Sequence, residues 1–350
     1  MVVNKRKVHI AASLLILISI ISIGCSKNDT VKDETNIPEV KKESITLSFA
    51  GDVTMGNYMG SSGNETFDGE FKKQNNDTSY FFKNVKSIFE NDDISIVNLE
   101  GPLTNSTVGN KEKLFAFKGD PIYVDILKQG SIEAVSIANN HSEDYYSKGL
   151  EDTKNVLNQY NIKYSGLGEY SIIETKGIKV GLLAYKGWGY DEEILSNIKS
   201  DIEKIKSESN MVVVYYHWGE ERANYPNEIQ KKLAHFTIDN GADLVMGSHP
   251  HVLQGIELYN NPEGEEKVIA YSLGNFSFGG NKNPKDKDTM IFQQTFNFEN
   301  GKLISSEEPV IIPCSISSVK HRNNYQPTPL DGEEKVRVLN RIKEYSEKLY

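Results

Sequence analysis

Cysteine is almost absent from this chain. Cys25 and Cys314 are the two in 350 residues, so no disulfide framework holds the fold. Cys314, directly after Pro313, is expected to be a packed or half-exposed thiol without a role of its own. Basic runs are lacking as well, and the net charge is −10. That argues against nucleic acid and against polybasic docking on anionic lipid. A metal ion would be the simplest way to give so acidic a chain a local positive site. No internal repeat of fixed period is present, and the apolar run Ala11 to Ile23 is short for a spanning helix, which needs about 20 residues. What is present, 38% hydrophobic and 25% charged residues, suffices to bury the core of one large domain or two.

The N-terminus has the order of a secretory signal: Lys5, Arg6 and Lys7, then the apolar run, then Gly24-Cys25. Ser22-Ile23-Gly24-Cys25 resembles a bacterial lipobox, with Ser22 where Leu is usual. The resemblance implies removal of residues 1–24, lipidation of Cys25, and a globular part held on the extracellular face of the cell membrane. A lipidated Cys25 leaves Cys314 without a disulfide partner. Loss of Lys5, Arg6 and Lys7 brings the charge to −13. Residues 25–44 are polar and charged without hydrophobic period, and read as a disordered tether.

From residue 45 onward apolar strands alternate with amphipathic helices. Strands are expected at Ile45–Ala50, Ile94–Leu99, Ala134–Ala138, Val180–Tyr185, Met211–Tyr216, Ala242–Met246 and Val268–Leu273. Helices are expected at Thr78–Asn91, Pro121–Gln129, Gly149–Tyr160, Ile194–Lys206 and Asn227–Asn240. Near-continuous apolar strands alternating with helices predict an α/β sheet covered on both faces. Ile291–Phe298, the turn Asn300-Gly301 and Leu303–Ile312 predict a hairpin. The domain is placed at 45–315, followed by a C-terminal loop and a charged helix over Glu333–Leu349 laid on the surface.

Chemistry gathers where the strands stop. In Gly247-Ser248-His249-Pro250-His251 two histidines are one residue apart, and an extended backbone, favoured before Pro250, would turn both imidazoles to one side. The other strand ends carry Asp52, Glu100, Asn140-His141, His217 and Asn275, and ligands of open α/β sheets bind at those ends. His9, His235 and His321 lie in the leader, a helix and a polar loop, and are expected to have no part in the site. Glu220 is expected to orient a ligand, and Trp188 either walls the site or packs. The charged loop Asn281–Asp288 reads as a mobile rim.

The set Gly51-Asp52, Asn98-Leu99-Glu100-Gly101, Ala138-Asn139-Asn140-His141, Tyr216-His217-Trp218-Gly219, Gly247–His251 and Ser272-Leu273-Gly274-Asn275-Phe276 resembles the bacterial capsule-synthesis CapA family. These poly-γ-glutamate synthesis proteins are similar to calcineurin-like metallophosphoesterases, and the resemblance covers about residues 45–280. It implies a four-layer α/β/β/α sandwich with one or two divalent ions (Mn, Zn or Fe). Asp52 and His251 would hold one ion, Asn140, His217 and His249 the other, with Glu100 between them. His141 would be the general acid, and Asn98, Glu220 and Asn275 would bind substrate. Two positions depart from the phosphoesterase pattern: Thr54 stands for a His, and Glu100 for a bridging Asp. The implied substrate is an anionic polymer or a phosphoester, with capsule synthase or export subunits as partners. A metal-dependent hydrolase and a non-catalytic subunit guiding polymer both remain open.

Overall fold

Two β-sheets face each other in the computed structural model, which describes residues 40–350. The signal, Cys25 and most of the tether therefore lie outside the described residues. Period-two alternation explains the pairing of the sheets. Ile45, Leu47 and Phe49 of strand Lys42–Thr54 point into the gap, as do Ile94 and Ile96 of Ile94–Leu99. Val213 and Tyr215 of Met211–Trp218 and Leu244 and Met246 of Leu244–Ser248 answer from the second sheet. The opposite faces are covered by helices. Val97, Leu99 and Val135 meet Phe67, Val124 and Leu157. Val212, Val214 and Val245 meet Ile198 and Ile202 of helix Glu192–Lys206 and Leu233 and Ile238 of helix Glu228–Asp239. The outcome is the four-layer α/β/β/α order.

In the first sheet, Lys42–Thr54 runs parallel to Ile94–Leu99 and antiparallel to Asp288–Glu299. In the second, Ile178–Gly187, Met211–Trp218, Leu244–Ser248 and Glu266–Ala270 are all parallel. The carboxyl ends of the parallel strands thus converge on one edge of the gap between the sheets.

Three expectations need correction. The helix predicted over Thr78–Asn91 is a 3-10 turn at Thr78–Tyr80 and a single α-turn at Lys86–Phe89. Phe81 stacks on Phe67 at 4.5 Å while Phe82 turns to Phe276, and the intervening turns let these neighbours take different partners. The return strand after Asn300-Gly301 is split into Lys302–Ser306 and Val310–Ser315. Pro309, at the break, has no N–H to give a ladder. The C-terminal helix, Gly332–Glu347, is more than a surface layer. Val338, Ile342 and Tyr345 are buried in the core between the sheets, although Val336 stays exposed.

Candidate metal centre

A bulge turns the first carboxylate inward. Strand Lys42–Thr54 keeps register with Ile94–Leu99 as far as Ala50 opposite Val97, then slips so that Asp52 lies opposite Asn98. Phe49 faces the gap and Ala50 faces away, so unbroken alternation would send Asp52 to the outer face. The extra residue at Gly51 reverses that parity. No other residue fits there, because a Cβ on Gly51 would lie 1.8 Å from the Gly274 carbonyl oxygen. The Tyr215 hydroxyl, from the facing sheet, donates to the Ala50 carbonyl at the bulge at 2.8 Å.

Alternation supplies the next two side chains directly. Asn98 continues the inward series Ile94, Ile96, and His217 continues Val213, Tyr215. They meet in the gap, with Asn98 Nδ2 3.2 Å from His217 Nδ1 and donating to Asp52 Oδ1 at 2.8 Å. The two histidines after strand Leu244–Ser248 reach the site by another route than the extended segment expected. His249 has φ +95° and His251 φ +58°, so the chain bends sharply here. Such φ values are unfavourable for residues with a Cβ, by about 1–3 kcal/mol each, and persist only where surrounding contacts impose them. The His249 N–H donates to Asp52 Oδ2 at 3.2 Å and ties the bend to the opposite sheet.

Around this bend the nitrogens and oxygens crowd together. His217 Nε2 lies 2.8 Å from Asn140 Oδ1, 3.1 Å from His249 Nδ1 and 3.5 Å from Glu100 Oε1. His251 Nδ1 lies 3.1 Å from Asp52 Oδ2, and its Nε2 is 3.9 Å from Glu100 Oε1. Asp52, Glu100 and His217 form one potential ligand group, and Glu100, His249 and His251 another, with Glu100 common to both. Burial and the neighbouring charges together set the charge states. It pushes His217 well below the usual imidazole range, and burial with the nearby His251 lowers His249 to about 4. Burial works against ionisation of Asp52, but His251 and His217 outweigh it and hold this carboxyl below its usual range. Burial and the Asp52 charge push Glu100 up. Burial disfavours charge on His251, yet Glu100 and Asp52 raise it to about 9.

The residues fit a cation, and Glu100 is the observation that says so. Its Oε1 is buried without any hydrogen-bond partner, while Oε2 accepts from Thr54 Oγ1 at 2.7 Å. A buried unpaired carboxylate oxygen is costly unless a positive group meets it. Neutral imidazoles at His217 and His249 present lone pairs to the same point. Ser248 Oγ, 3.1 Å from His217 Nδ1, can accept the proton that Nδ1 carries when Nε2 is the ligand atom.

His141 stands beside this cluster on the wall of a cavity of about 510 Å³ that Glu100, His251 and Asn275 also line. Its Nδ1 is 2.7 Å from Asp144 Oδ2, which leaves Nε2 as the atom able to deliver a proton. Asp144 is fully buried and also meets Lys113 Nζ at 2.5 Å and the Phe117 N–H at 2.6 Å. Lys113 Nζ binds the Asn140 carbonyl too, so one ammonium joins Asn140 to the His141–Asp144 pair. The sequence reading missed Asp144 and Lys113. The three-residue spacing from His141 was a signal for Asp144, while nothing local marked Lys113.

The remaining expected residues divide. Asn275 lines the cavity and its Oδ1 contacts His251 Nδ1 at 2.9 Å. Asn98 is fully buried against Asp52 and His217 and does not line the cavity. Glu220 is exposed and does not line the cavity, whereas its neighbours Glu221 and Arg222 do. Trp188 walls the cluster edge-on to His249, with ring centroids 4.9 Å apart. His235 is satisfied by Glu257 at 3.0 Å, and His321 is exposed. Cys314 is buried in the core, and burial pushes its thiol up to about 12.

The profile of the family described as Bacterial capsule synthesis protein PGA_cap matches residues 46–280. The chain is 30% identical over 297 residues to the PGA biosynthesis protein CapA of Bacillus subtilis (strain 168), a match covering 79% of this chain and 73% of that one. It is 27% identical over 350 residues to the Capsule biosynthesis protein CapA of Bacillus anthracis, covering 91% and 81%. Among solved structures it is similar to a hypothetical protein from Thermus thermophilus, with 16% identity and a TM-score of 0.47, covering 77% of this chain and 99% of that one. A 5'-nucleotidase from Candida albicans SC5314 is similar at 11% identity and a TM-score of 0.37, covering 71% and 46%.

Proposed function

From the premise that this chain belongs to the family of bacterial capsule synthesis proteins, we propose that it is a metal-dependent hydrolase of capsule-type polymer biosynthesis, anchored by lipid on Cys25 at the extracellular face of the membrane. The observation that carries the metal is the unpartnered Glu100 Oε1 amid the ring nitrogens of His217, His249 and His251. Asp52, Glu100, Asn140, His217, His249 and His251 would hold one or two divalent ions (Mn, Zn or Fe). Such an ion supplies Lewis-acid polarisation of an acyl or phosphoryl oxygen.

The chain's own groups do the rest. His141 Nε2 protonates the leaving group, and Asp144 keeps the imidazole oriented through Nδ1. Lys113 balances the buried Asp144 charge. Phe115, Phe117 and Phe278 wall the cavity and limit water around the reacting bond. The test is turnover by the full chain on phosphodiester and γ-glutamyl substrates with each metal in turn. Absence of turnover under every metal would remove the hydrolase. An acyl group on Cys25, read by mass spectrometry of the membrane fraction, tests the anchor.

A second reading, a non-catalytic subunit that binds or guides an anionic polymer beside synthase or export subunits, is favoured by Thr54. Its hydroxyl takes up Glu100 Oε2, so only Oε1 is left for the cluster, and one ion is then easier to hold than two.

A further inference from the structure

We propose that Arg222, Lys285 and Glu221 form a reading rim at this site: two cations for neighbouring carboxylates of a chain, and one carboxylate for its amide N–H. The inference rests on the reading above for the floor of the cavity and goes beyond it in naming the groups that select the polymer.

Arg222 is built into the metal centre by its backbone. Its φ is +66°, in a region that residues with a Cβ rarely adopt. Its N–H donates at 2.7 Å to the carbonyl of Pro250, the residue between His249 and His251. The guanidinium root is therefore fixed to the ligand loop. Lys285 comes from the loop between strands Asn275–Phe278 and Asp288–Glu299, and lines the same cavity. The acids at the end of this loop are paired with the C-terminal helix: Asp286, which also lines the cavity, meets Arg341 at 2.5 Å, and Asp288, the first residue of the next strand, meets Arg337 at 2.7 Å. Of the loop's lysines, Lys282 bonds the Ser62 carbonyl and Lys287 bonds Asn283 and the Lys320 carbonyl, while Lys285 is the one that lines the cavity. Among the described residues, neither Arg222 nor Lys285 has a carboxylate within 4 Å.

Phe115 and Phe278 line the cavity along with these cations. Cations interspersed with phenyl walls suit carboxylates carried on methylene stems better than a bare phosphate, which needs only the floor. Glu221 sharpens the choice. A carboxylate at the rim repels a polyphosphate, which offers it no donor, but accepts the N–H of a polyamide.

The experiment is titration calorimetry of the metal-loaded full chain with a γ-linked glutamate oligomer, monomeric glutamate and inorganic polyphosphate at two salt concentrations. The oligomer should bind more tightly than either competitor. Arg222→Gly, which tolerates the positive φ, and Lys285→Ala should each weaken the oligomer about tenfold and reduce its salt dependence, with melting temperature unchanged. Glu221→Gln should narrow the preference over polyphosphate. Oligomer binding that the Arg222→Gly/Lys285→Ala double variant leaves intact, or polyphosphate binding as tight as the oligomer's in the wild type, overturns the rim. Failure of the hydrolase looks different: no turnover, with rim-dependent binding retained.

Discussion

Gly51 and Gly274 touch backbone to backbone: a Cβ on Gly51 would sit 1.8 Å from the Gly274 carbonyl oxygen, and the Asp52 N–H donates to that same oxygen at 3.0 Å. The contact locks the bulge that faces Asp52 into the gap. Gly51→Ala must displace one strand, so it is expected to cost at least about 1–3 kcal/mol and to lower metal content in parallel. Urea unfolding together with elemental analysis reads both; a stable, fully metallated variant would show that the bulge is not needed.

His217→Ala and His249→Ala should each remove most of the bound metal, because both rings offer lone pairs to the point that Glu100 Oε1 faces. His235→Ala should keep it, since that ring is committed to Glu257 and Tyr259. Chelation should lower the stability of the wild type by about 2.7 kcal/mol relative to metal at a hundredfold excess over Kd. Equal metal content in all three variants would defeat the ligand assignment.

His141→Gln should reduce turnover by about 10²–10⁴-fold with metal retained. Asp144→Asn should act in the same direction, since an amide oxygen can still meet Nδ1 but cannot balance an imidazolium. Loss of metal in His141→Gln would make His141 a ligand instead of an acid. Unchanged hydrolysis would end its catalytic role.

A pH effect is expected away from the site. Burial pushes Glu133 up to about 7, and burial pushes Asp92 up to about 6. Both fold with raised values, so the native chain binds more protons than the unfolded one in between. Stability is then fully present below about pH 4 as far as these groups are concerned, and is lost as pH rises toward 7. Glu133→Gln should remove part of that loss, on the order of 1–2 kcal/mol after solvent screening, in urea titrations at pH 8 but not at pH 4. The same difference at both pH values would contradict it.

The C-terminal helix should behave as core. Ile342→Ala is expected to cost about 2–4 kcal/mol in denaturant unfolding, against a few tenths for Val336→Ala on the exposed side. Equal, small effects would return the helix to the surface.

The strand-end residues were legible in the sequence because they depend on short-range rules. Alternation alone predicted one α/β sheet covered on both faces, whereas the four-layer order followed only from the family resemblance. Period-two alternation puts Asn98 and His217 on inner faces, and the ends of apolar runs mark Asp52, Glu100, Asn140, His249 and Asn275. How these residues meet depended on the tertiary structure. The inward turn of Asp52 needs the close approach of Gly274, which lies far along the chain. The left-handed turns at His249 and His251 oppose local preference, and long-range contacts such as the His249 N–H to Asp52 hold them. Lys113 joins Asp144 and Asn140 across some thirty residues of chain, and no local period records such a pairing. The burial of Val338 and Ile342 was likewise decided by the gap between two sheets, since a charged helix with a narrow apolar stripe has the same sequence whether it lies on a surface or closes a core.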